Sequence, residues 1–324
     1  MKALVTGSAG FIGSHLVDEL LLRNYDVIGI DNFSTGIPNF LDKAKNSNSF
    51  ENFEIDILDL KSLKELMKDI DVVYHMAANA DIRGGTANPF IDLQQNTIGT
   101  FNILEAMRTN KIKRICFASS AAVLGEPDIF PTPENLPNPI QTSLYGASKM
   151  AGEGLLAAYC NAYGIEGYCF RFVSLLGPRY PHGHVFDFVK QLKKDSTKLD
   201  VLGDGTAKKS YLNISDCISA LMLVCEDKRP AAKKEFKFDI FNLGLEEFIR
   251  VSESAKLISS TLHLKPKINY GKGLRGWVGD NPFVFLDIKK IKTLGWKPKY
   301  SIKESIQETT EWLSENEWIF KKRD

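Results

Sequence analysis

Residues 2–31 read KALVTGSAGFIGSHLVDELLLRNYDVIGID, and this stretch decides the fold. The apolar run Lys2–Thr6 predicts a short strand. Glycines follow at 7, 10 and 13, and helical spacing (Ile12, Leu16, Leu20) predicts a helix over Phe11–Arg23. A second apolar run, Tyr25–Ile30, ends at Asp31. Strand, glycine turn, helix and strand make the opening of a βαβ unit with a nucleotide-binding turn. Glycines let the backbone approach a pyrophosphate, and the helix N-terminus supplies N–H groups and the positive end of its dipole.

Asp31 stands 18 residues after Gly13. A carboxylate there can bind both ribose hydroxyls of NAD and would repel the 2′-phosphate of NADP. No Arg lies within Asn32–Leu41 to favour that phosphate. NAD is the expected cofactor. Asp56 and Ile57, after a third strand at Phe53–Ile55, are placed at the adenine edge.

Outward from this unit the alternation continues. Helices are expected over Leu60–Lys68, Phe90–Asn110 and Leu144–Tyr163, and strands over Asp71–Met76, Arg114–Ser119 and Gly167–Phe172. Strands that are apolar throughout, alternating with helices, predict a doubly wound parallel sheet of the Rossmann type, an α/β fold. After Phe172 the pattern loosens. A helix over Asp216–Cys225 and a strand over Phe238–Leu243 still resemble the first lobe. The expected organisation is therefore an NAD-binding domain over 1–173, completed by 211–244. A smaller, discontinuous α/β lobe for the substrate takes 174–210 and 245–324.

Composition bounds the function. The 324 residues are 44% apolar and 25% charged with a net charge of +1, as in a globular protein with no electrostatic pull toward nucleic acid or a membrane surface. No apolar stretch approaches the ~18 residues of a membrane span, and the N-terminus lacks the apolar region of a signal peptide. Five cysteines (116, 160, 169, 217 and 225) include no Cys-x-x-Cys, which argues against a disulfide framework and a structural zinc site. Cys116, Cys160 and Cys217 read as small buried hydrophobes, and a cytoplasmic setting is expected.

Tyr145 and Lys149 lie four residues apart on the expected helix Leu144–Tyr163, so their side chains share a face. Ionising a tyrosine of pKa near 10 at pH 7 costs roughly 4 kcal/mol. The Lys149 ammonium and the positive nicotinamide ring would offset much of that. Ser120, just past the strand end Ala118-Ser119, can hold the substrate oxygen and pass its proton to Tyr145. Together these groups can oxidise a C–OH to C=O.

The chain resembles the extended short-chain dehydrogenases/reductases, in the branch that acts on nucleotide sugars. The resemblance spans essentially the whole length. It is carried by Thr6-Gly7-x-x-Gly10-x-x-Gly13, Asp31-Asn32, His75-Met76-Ala77-Ala78, Asn96-x-x-Gly99-Thr100, Ser119-Ser120, Tyr145-x-x-x-Lys149, Arg171-Phe172 and Gly177-Pro178-Arg179. Later come Gly203-Asp204-Gly205, Asn242-Leu243-Gly244 and Leu294-Gly295-Trp296. It implies Ser120, Tyr145 and Lys149 as the catalytic set, with Tyr145 and Lys149 also at the cofactor and Lys149 holding the nicotinamide ribose. It adds Phe11, Ile12, Asn32, Ala77, Ala78, Asn96 and Ser119 to the cofactor site. A nucleotide-diphosphate sugar is the implied substrate, with Arg83, Ser174, His184, Lys209, Arg275 and Asp280 as residues that would meet it. A homodimer built on the helices Phe90–Asn110 and Leu144–Tyr163 is implied as well.

The two residues after Ser120 narrow the reaction. Dehydratases of this branch carry Asp-Glu there, decarboxylases a Glu at the second position, and GDP-fucose synthases a Cys paired with a distant His that His184 matches. This chain has Ala121-Ala122. A methyl group is neither acid nor base. What remains is hydride chemistry at one carbon: NAD-dependent 4-epimerisation, with a UDP-hexose expected. A dehydrogenase or ketoreductase of the same family is the alternative, followed by a non-catalytic NAD-binding regulator.

Overall fold

The computed structural model describes residues 1–226, 237–276, 281 and 283–322. They fall into two compact units. The first comprises Met1–Gly125, Pro137–Arg171 and Ile218–Phe241; the second comprises Glu126–Leu136, Phe172–Cys217 and Asn242–Asp324.

The first unit begins as the glycine stretch predicts: β1 (Lys2–Thr6), α1 (Phe11–Leu22), β2 (Asp26–Asp31). It continues with β3 (Phe50–Glu54), α2 (Leu60–Leu66), β4 (Val72–His75), α3 (Ile82–Ala87), α4 (Pro89–Asp92) and α5 (Gly99–Asn110). Then follow β5 (Arg114–Ala118), α6 (Leu144–Tyr163) and β6 (Glu166–Phe172). Seven strands form one sheet in the order β11-β6-β5-β4-β1-β2-β3, where β11 is Phe238–Leu243. The pairings from β3 across to β6 are all parallel. Leu4, Ile30, Val73, Ile115 and Cys169 lie in the core that the sheet shares with Ile103, Met107 and Leu156 of its helices. Strand order reverses between β1 and β4, so the loops after β1, β4 and β5 open where such folds bind ligands.

The expected single helix over Phe90–Asn110 is interrupted. Leu93–Ile98 is a π-helical stretch between α4 and α5. The Thr100 hydroxyl donates to the Asn96 carbonyl at 2.6 Å, so a side chain uses an acceptor that a regular helix gives to the backbone. By contrast α6 matches its predicted limits. Ser143 caps it by accepting from Gly146 N at 3.0 Å, and Gly164 ends it with φ 62°.

The cysteine expectation needs one correction. Cys116 of β5 is disulfide-bonded to Cys225, near the end of α8 (Ile214–Glu226), across 109 residues. Spacing rules detect local pairs, and this one is made by the sheet. Cys160, Cys169 and Cys217 are buried free thiols.

The second unit is built from short pieces. β7 (Ser174–Leu176) pairs with β10 (Tyr211–Asn213), β8 (Lys198–Val201) with β13 (Lys267–Tyr270), and β9 (Lys208–Lys209) with β12 (Ile249–Arg250). Helices α7 (His184–Lys194), α9 (Val251–Thr261), α10 (Lys289–Lys292) and α11 (Ile302–Glu315) complete it. Glu126–Leu136 belongs here because Thr132 N donates to Phe285 O and Asp287 N donates to Thr132 O. The Leu294-Gly295-Trp296 motif has a mechanical role. Trp296 Nε1 donates to the Asp216 carbonyl at 3.2 Å, and the Asp216 carboxylate accepts from Lys299 N and Tyr300 N at 2.9 and 3.1 Å.

Candidate active site

The glycine turn fits a dinucleotide on its own geometry. Gly7 has φ +66°, and a Cβ on it would lie 2.8 Å from the Ala77 backbone; a Cβ on Gly13 would lie 2.0 Å from Gly7 O. Neither position admits a side chain. Gly10 opens α1 without a side-chain cap, so the N–H groups at the helix start keep their capacity for an anion. Thr6 Oγ1 accepts from Met76 N and Ala77 N at 3.1 and 3.0 Å, which ties the β4 loop to this turn. Behind it His75 is fully buried, 2.8 Å from Thr6 Oγ1 and 3.0 Å from Thr100 Oγ1. Burial pushes its pKa down to about 3, so it is a neutral structural ring.

Asp31 stands at the end of β2 as expected. Its carboxylate accepts from Ala9 N at 2.9 Å and Phe33 N at 2.8 Å. Burial raises its pKa, and these two bonds act against that. Asn32 Nδ2 donates to Asp56 Oδ2 at 2.8 Å, and buried Ile57 follows. The structure thus brings Asp31, Asn32, Asp56 and the turn of Gly7, Gly10, Phe11, Ile12 and Gly13 to the strand ends of one sheet.

The segment from the end of β5 into α6 carries the three expected catalytic residues. Ser120 follows β5, and its hydroxyl oxygen accepts from Ala122 N at 3.1 Å, which starts the 3-10 turn Ala121–Leu124. Tyr145, on the first turn of α6, is hydrogen-bonded to Ser120. Burial pushes the Tyr145 pKa up to about 12; the Ser120 bond opposes this and the Asp92 charge adds to it. Lys149, one turn on, is 2% exposed. It donates to the Ala118 carbonyl at 2.9 Å and lies over the Phe117 ring. Burial lowers its pKa to about 8, while Cys169, Asp92 and Glu153 act to raise it. The phenol therefore starts protonated. Ionising it at pH 7 costs ~7 kcal/mol at ~1.4 kcal/mol per unit, more than the unperturbed value implies.

Asn96, Ala77 and Ala78 meet here too. Asn96 Oδ1 accepts from Asn79 N at 2.8 Å, and Asn96 Nδ2 donates to Asn79 O at 3.2 Å, so Asn96 clamps the residue after Ala78. The Ser119 hydroxyl turns inward and donates to Glu153 Oε1. Glu153 in turn holds Arg171 through two bonds, Nε–Oε1 at 2.8 Å and Nη2–Oε2 at 2.6 Å, in a buried pair. Glu153 escaped the sequence reading, yet a signal existed: Tyr145, Lys149 and Glu153 are spaced i, i+4, i+8 along one face of α6. Asp92 stands four residues before Asn96, a similar signal, whereas Asn79 carried none.

The substrate residues are more scattered. Arg83 lies in α3, and its side chain is outside the described residues, as is Asp280. In the second unit Ser174 is exposed at the start of β7. Lys209 Nζ donates to Asn281 O at 2.6 Å. Arg275 makes a two-pronged pair with Glu126 at 2.6 and 2.7 Å. Both ring nitrogens of His184 are engaged, Nε2 with Ser254 Oγ at 2.7 Å and Nδ1 with Tyr211 OH at 3.0 Å, so its ring has no nitrogen left for a sugar hydroxyl.

A Rossmann sheet with a glycine turn and a Ser–Tyr–Lys set at the ends of β5 and α6 defines a nucleotide-dependent enzyme of the short-chain dehydrogenase type. Within that class, residues 3–244 match the model of the NAD dependent epimerase/dehydratase family. The chain belongs to this family, and its cofactor is NAD. A putative UDP-glucose 4-epimerase of Methanocaldococcus jannaschii is 37% identical over 97% of this chain and 98% of its own. Two solved structures superpose along the length. A UDP-galactose 4-epimerase has TM-score 0.87 and 34% identity, covering 98% of this chain and 100% of its own. The UDP-glucuronic acid 4-epimerase of Bacillus cereus, in complex with UDP-glucuronic acid and NAD, has TM-score 0.88 and 29% identity, covering 97% and 99%.

Proposed function

We propose that the protein is an NAD-dependent nucleotide-sugar 4-epimerase acting on a UDP-hexose. The observation that carries this reading is the turn after Ser120. Ala121 and Ala122 occupy the positions where other members of the branch place extra acids and bases, and the turn is closed by the Ser120 hydroxyl itself. Only Ser120, Tyr145 and Lys149 remain to act on the sugar. The relatives named above, all 4-epimerases by name, support it.

Bound NAD supplies the acceptor for a hydride from C4 and the donor that returns it. Gly7, Gly10, Phe11, Ile12, Gly13, Asp31, Asn32, Asp56, Ile57, Ala77, Ala78, Asn96 and Ser119 form its site. Ser120 holds the C4 oxygen. Tyr145 takes the hydroxyl proton and gives it back to the ketone when the sugar presents its other face. Lys149, held by the Ala118 carbonyl, keeps a positive charge below the Tyr145 turn. Arg83 meets the sugar or diphosphate, Lys209 pairs with the diphosphate, Arg275 and Asp280 grip the nucleotide, and Ser174 is a further substrate residue. The nucleotide's binding energy stays constant while the sugar turns. Two copies associate through the first unit, where Leu93, Phe101 and Tyr163 are 48%, 40% and 45% exposed on the π stretch, α5 and α6.

The test is incubation with UDP-glucose, UDP-galactose and UDP-glucuronate, followed by NMR at the sugar C4. Inversion without net NADH supports the reading, and the preferred sugar fixes the substrate. Stoichiometric NADH with no inversion would replace it with a dehydrogenase.

A further inference from the structure

Asp92 ends α4 at the start of the π stretch and is 1% exposed. Its Oδ1 accepts from Asn79 Nδ2 at 2.8 Å and from Asn96 Nδ2 at 3.3 Å. Among the described residues its Oδ2 is buried with no hydrogen-bond partner. A carboxylate oxygen so placed is expensive, and the usual outcome is that such an atom is paired or removed. The backbone is shaped around it: a Cβ on Gly85 of α3 would lie 2.1 Å from Oδ2.

The chain of bonds leads to the reacting pair. Asn96 Nδ2 also donates to Ser148 Oγ at 3.0 Å, and the Ser148 hydroxyl donates to the Tyr145 carbonyl at 2.8 Å. Asn96 at the same time clamps Asn79 in the loop that follows β4. The π stretch, a form that concentrates at functional sites, is what presents Asn96 to both sides. One carboxylate thus braces the β4 loop and the Tyr145–Lys149 turn together.

We propose that Asp92 is a positioning residue for the epimerase reaction: through Asn96 and Ser148 it holds the Tyr145–Lys149 turn in register with the β4 loop, and its unpaired oxygen sets a negative charge that acts on both reacting side chains. The proposal rests on the function given above. The charge has opposite uses on the two partners. It favours the ammonium of Lys149 and opposes ionisation of Tyr145, so the phenol holds its proton until positive charge and substrate arrive. Burial raises the pKa of Asp92, the Asn79 bond and the Lys149 charge act against that, and Asp81 adds to it. Among the described residues, Ser120 also acts on Tyr145, and Cys169 and Glu153 act on Lys149. Lys149 itself acts on His75 of β4. Glu153 is committed to Arg171, whereas Asp92 has one oxygen without a partner among the described residues.

Two variants of the full-length enzyme with bound NAD separate charge from brace. Asp92→Asn keeps an oxygen for Asn79 and Asn96 and removes the charge. It should move the acid limb of the kcat–pH profile to lower pH by about one unit, a tenfold change in proton concentration, with KM for the UDP-sugar within about twofold. Ser148→Ala keeps the charge and cuts the link to Tyr145. It should lower kcat about tenfold, the size of one lost buried hydrogen bond, with KM and both pH limbs unmoved. A folded Asp92→Asn enzyme whose limbs stay within about 0.2 unit of wild type overturns the proposal. If that variant does not fold, Ser148→Ala decides: an unchanged kcat overturns the proposal and a lowered kcat at constant KM upholds it. Failure of the wild-type enzyme to epimerise would strike the function itself, a result distinct from these.

Discussion

Lys149 and Arg275 are two cations assigned to one reaction, and their surroundings are opposites. Lys149, in the first unit, is almost fully buried and fixed by the Ala118 carbonyl and the Phe117 face. Arg275, in the second unit, is 45% exposed at the side chain and held by Glu126. Burial changes the acidity of Lys149, whereas Arg275 keeps its charge at any working pH. An exposed ion pair is worth ~0–1 kcal/mol, so on the proposed function the substrate could displace Glu126 at little cost. The chemistry is built into strand ends that cannot move without disturbing the core. On the proposed function, recognition would fall to loops whose side chains can exchange partners.

The sharpest way to break this contrast is at Tyr145. Tyr145→Phe should lower kcat by about 10³-fold, in the range for a lost acid/base group, with UDP-sugar binding retained. Stopped turnover with intact binding by calorimetry is the expected pair of results, and unaltered turnover would void the mechanism.

Stability against pH probes the scaffold itself. His75 has its pKa lowered to about 3 in the folded protein. Between that value and its ordinary ~6.5 the unfolded chain binds more protons, so stability is present above ~6.5 and is lost as pH falls toward the folded value. At pH 5 the loss is about 2 kcal/mol. His184 in the second unit shifts in the same direction. Urea midpoints at pH 7 and pH 5 should converge for His75→Gln more than for wild type; an equal drop in both would remove His75 as the cause.

Arg275→Ala should raise KM for the UDP-sugar about tenfold, as for a lost charge-assisted bond, and leave kcat near wild type. An equal fall in kcat would show that Arg275 acts in the transition state, and the division of labour would fail. The smallest effect is expected at Glu126→Gln. Releasing Arg275 from its carboxylate partner should lower KM by less than about fivefold, and a rise in KM would mean that Glu126 presents Arg275 instead of competing for it.

What the sequence disclosed follows the same contrast. β1, α1 and β2 were legible because apolar runs, glycines and an acid occur within thirty residues. The limits of α6 were legible because Ser143 and Gly164 act locally. Ser120, Tyr145 and Lys149 stood out by spacing along one helix face and at one strand end. The brace of Asn79, Asp92 and Ser148 has two local bonds, Asn96 to Asp92 and Ser148 to Tyr145. It was silent because the bonds that join its parts, Asn79 to Asp92 and Asn96 to Ser148, span 13 and 52 positions. The Cys116–Cys225 bond, 109 residues apart, and the pairing of β13 with β8, Lys267 opposite Lys198, were silent for the same reason. Short strands that find partners only through tertiary packing leave no periodic trace.

The π stretch at Leu93–Ile98 has one more consequence, for anyone who aligns or edits this chain. A regular helix advances about 100° per residue, and a widened turn falls behind that count. Residues after Gly99 are therefore out of phase with those before Asp92. A helical wheel drawn straight through 90–110 misplaces the residues after the π stretch relative to those before it. Deleting one residue there would restore the regular repeat and, in the same step, turn Asn96 away from Asn79 and Ser148.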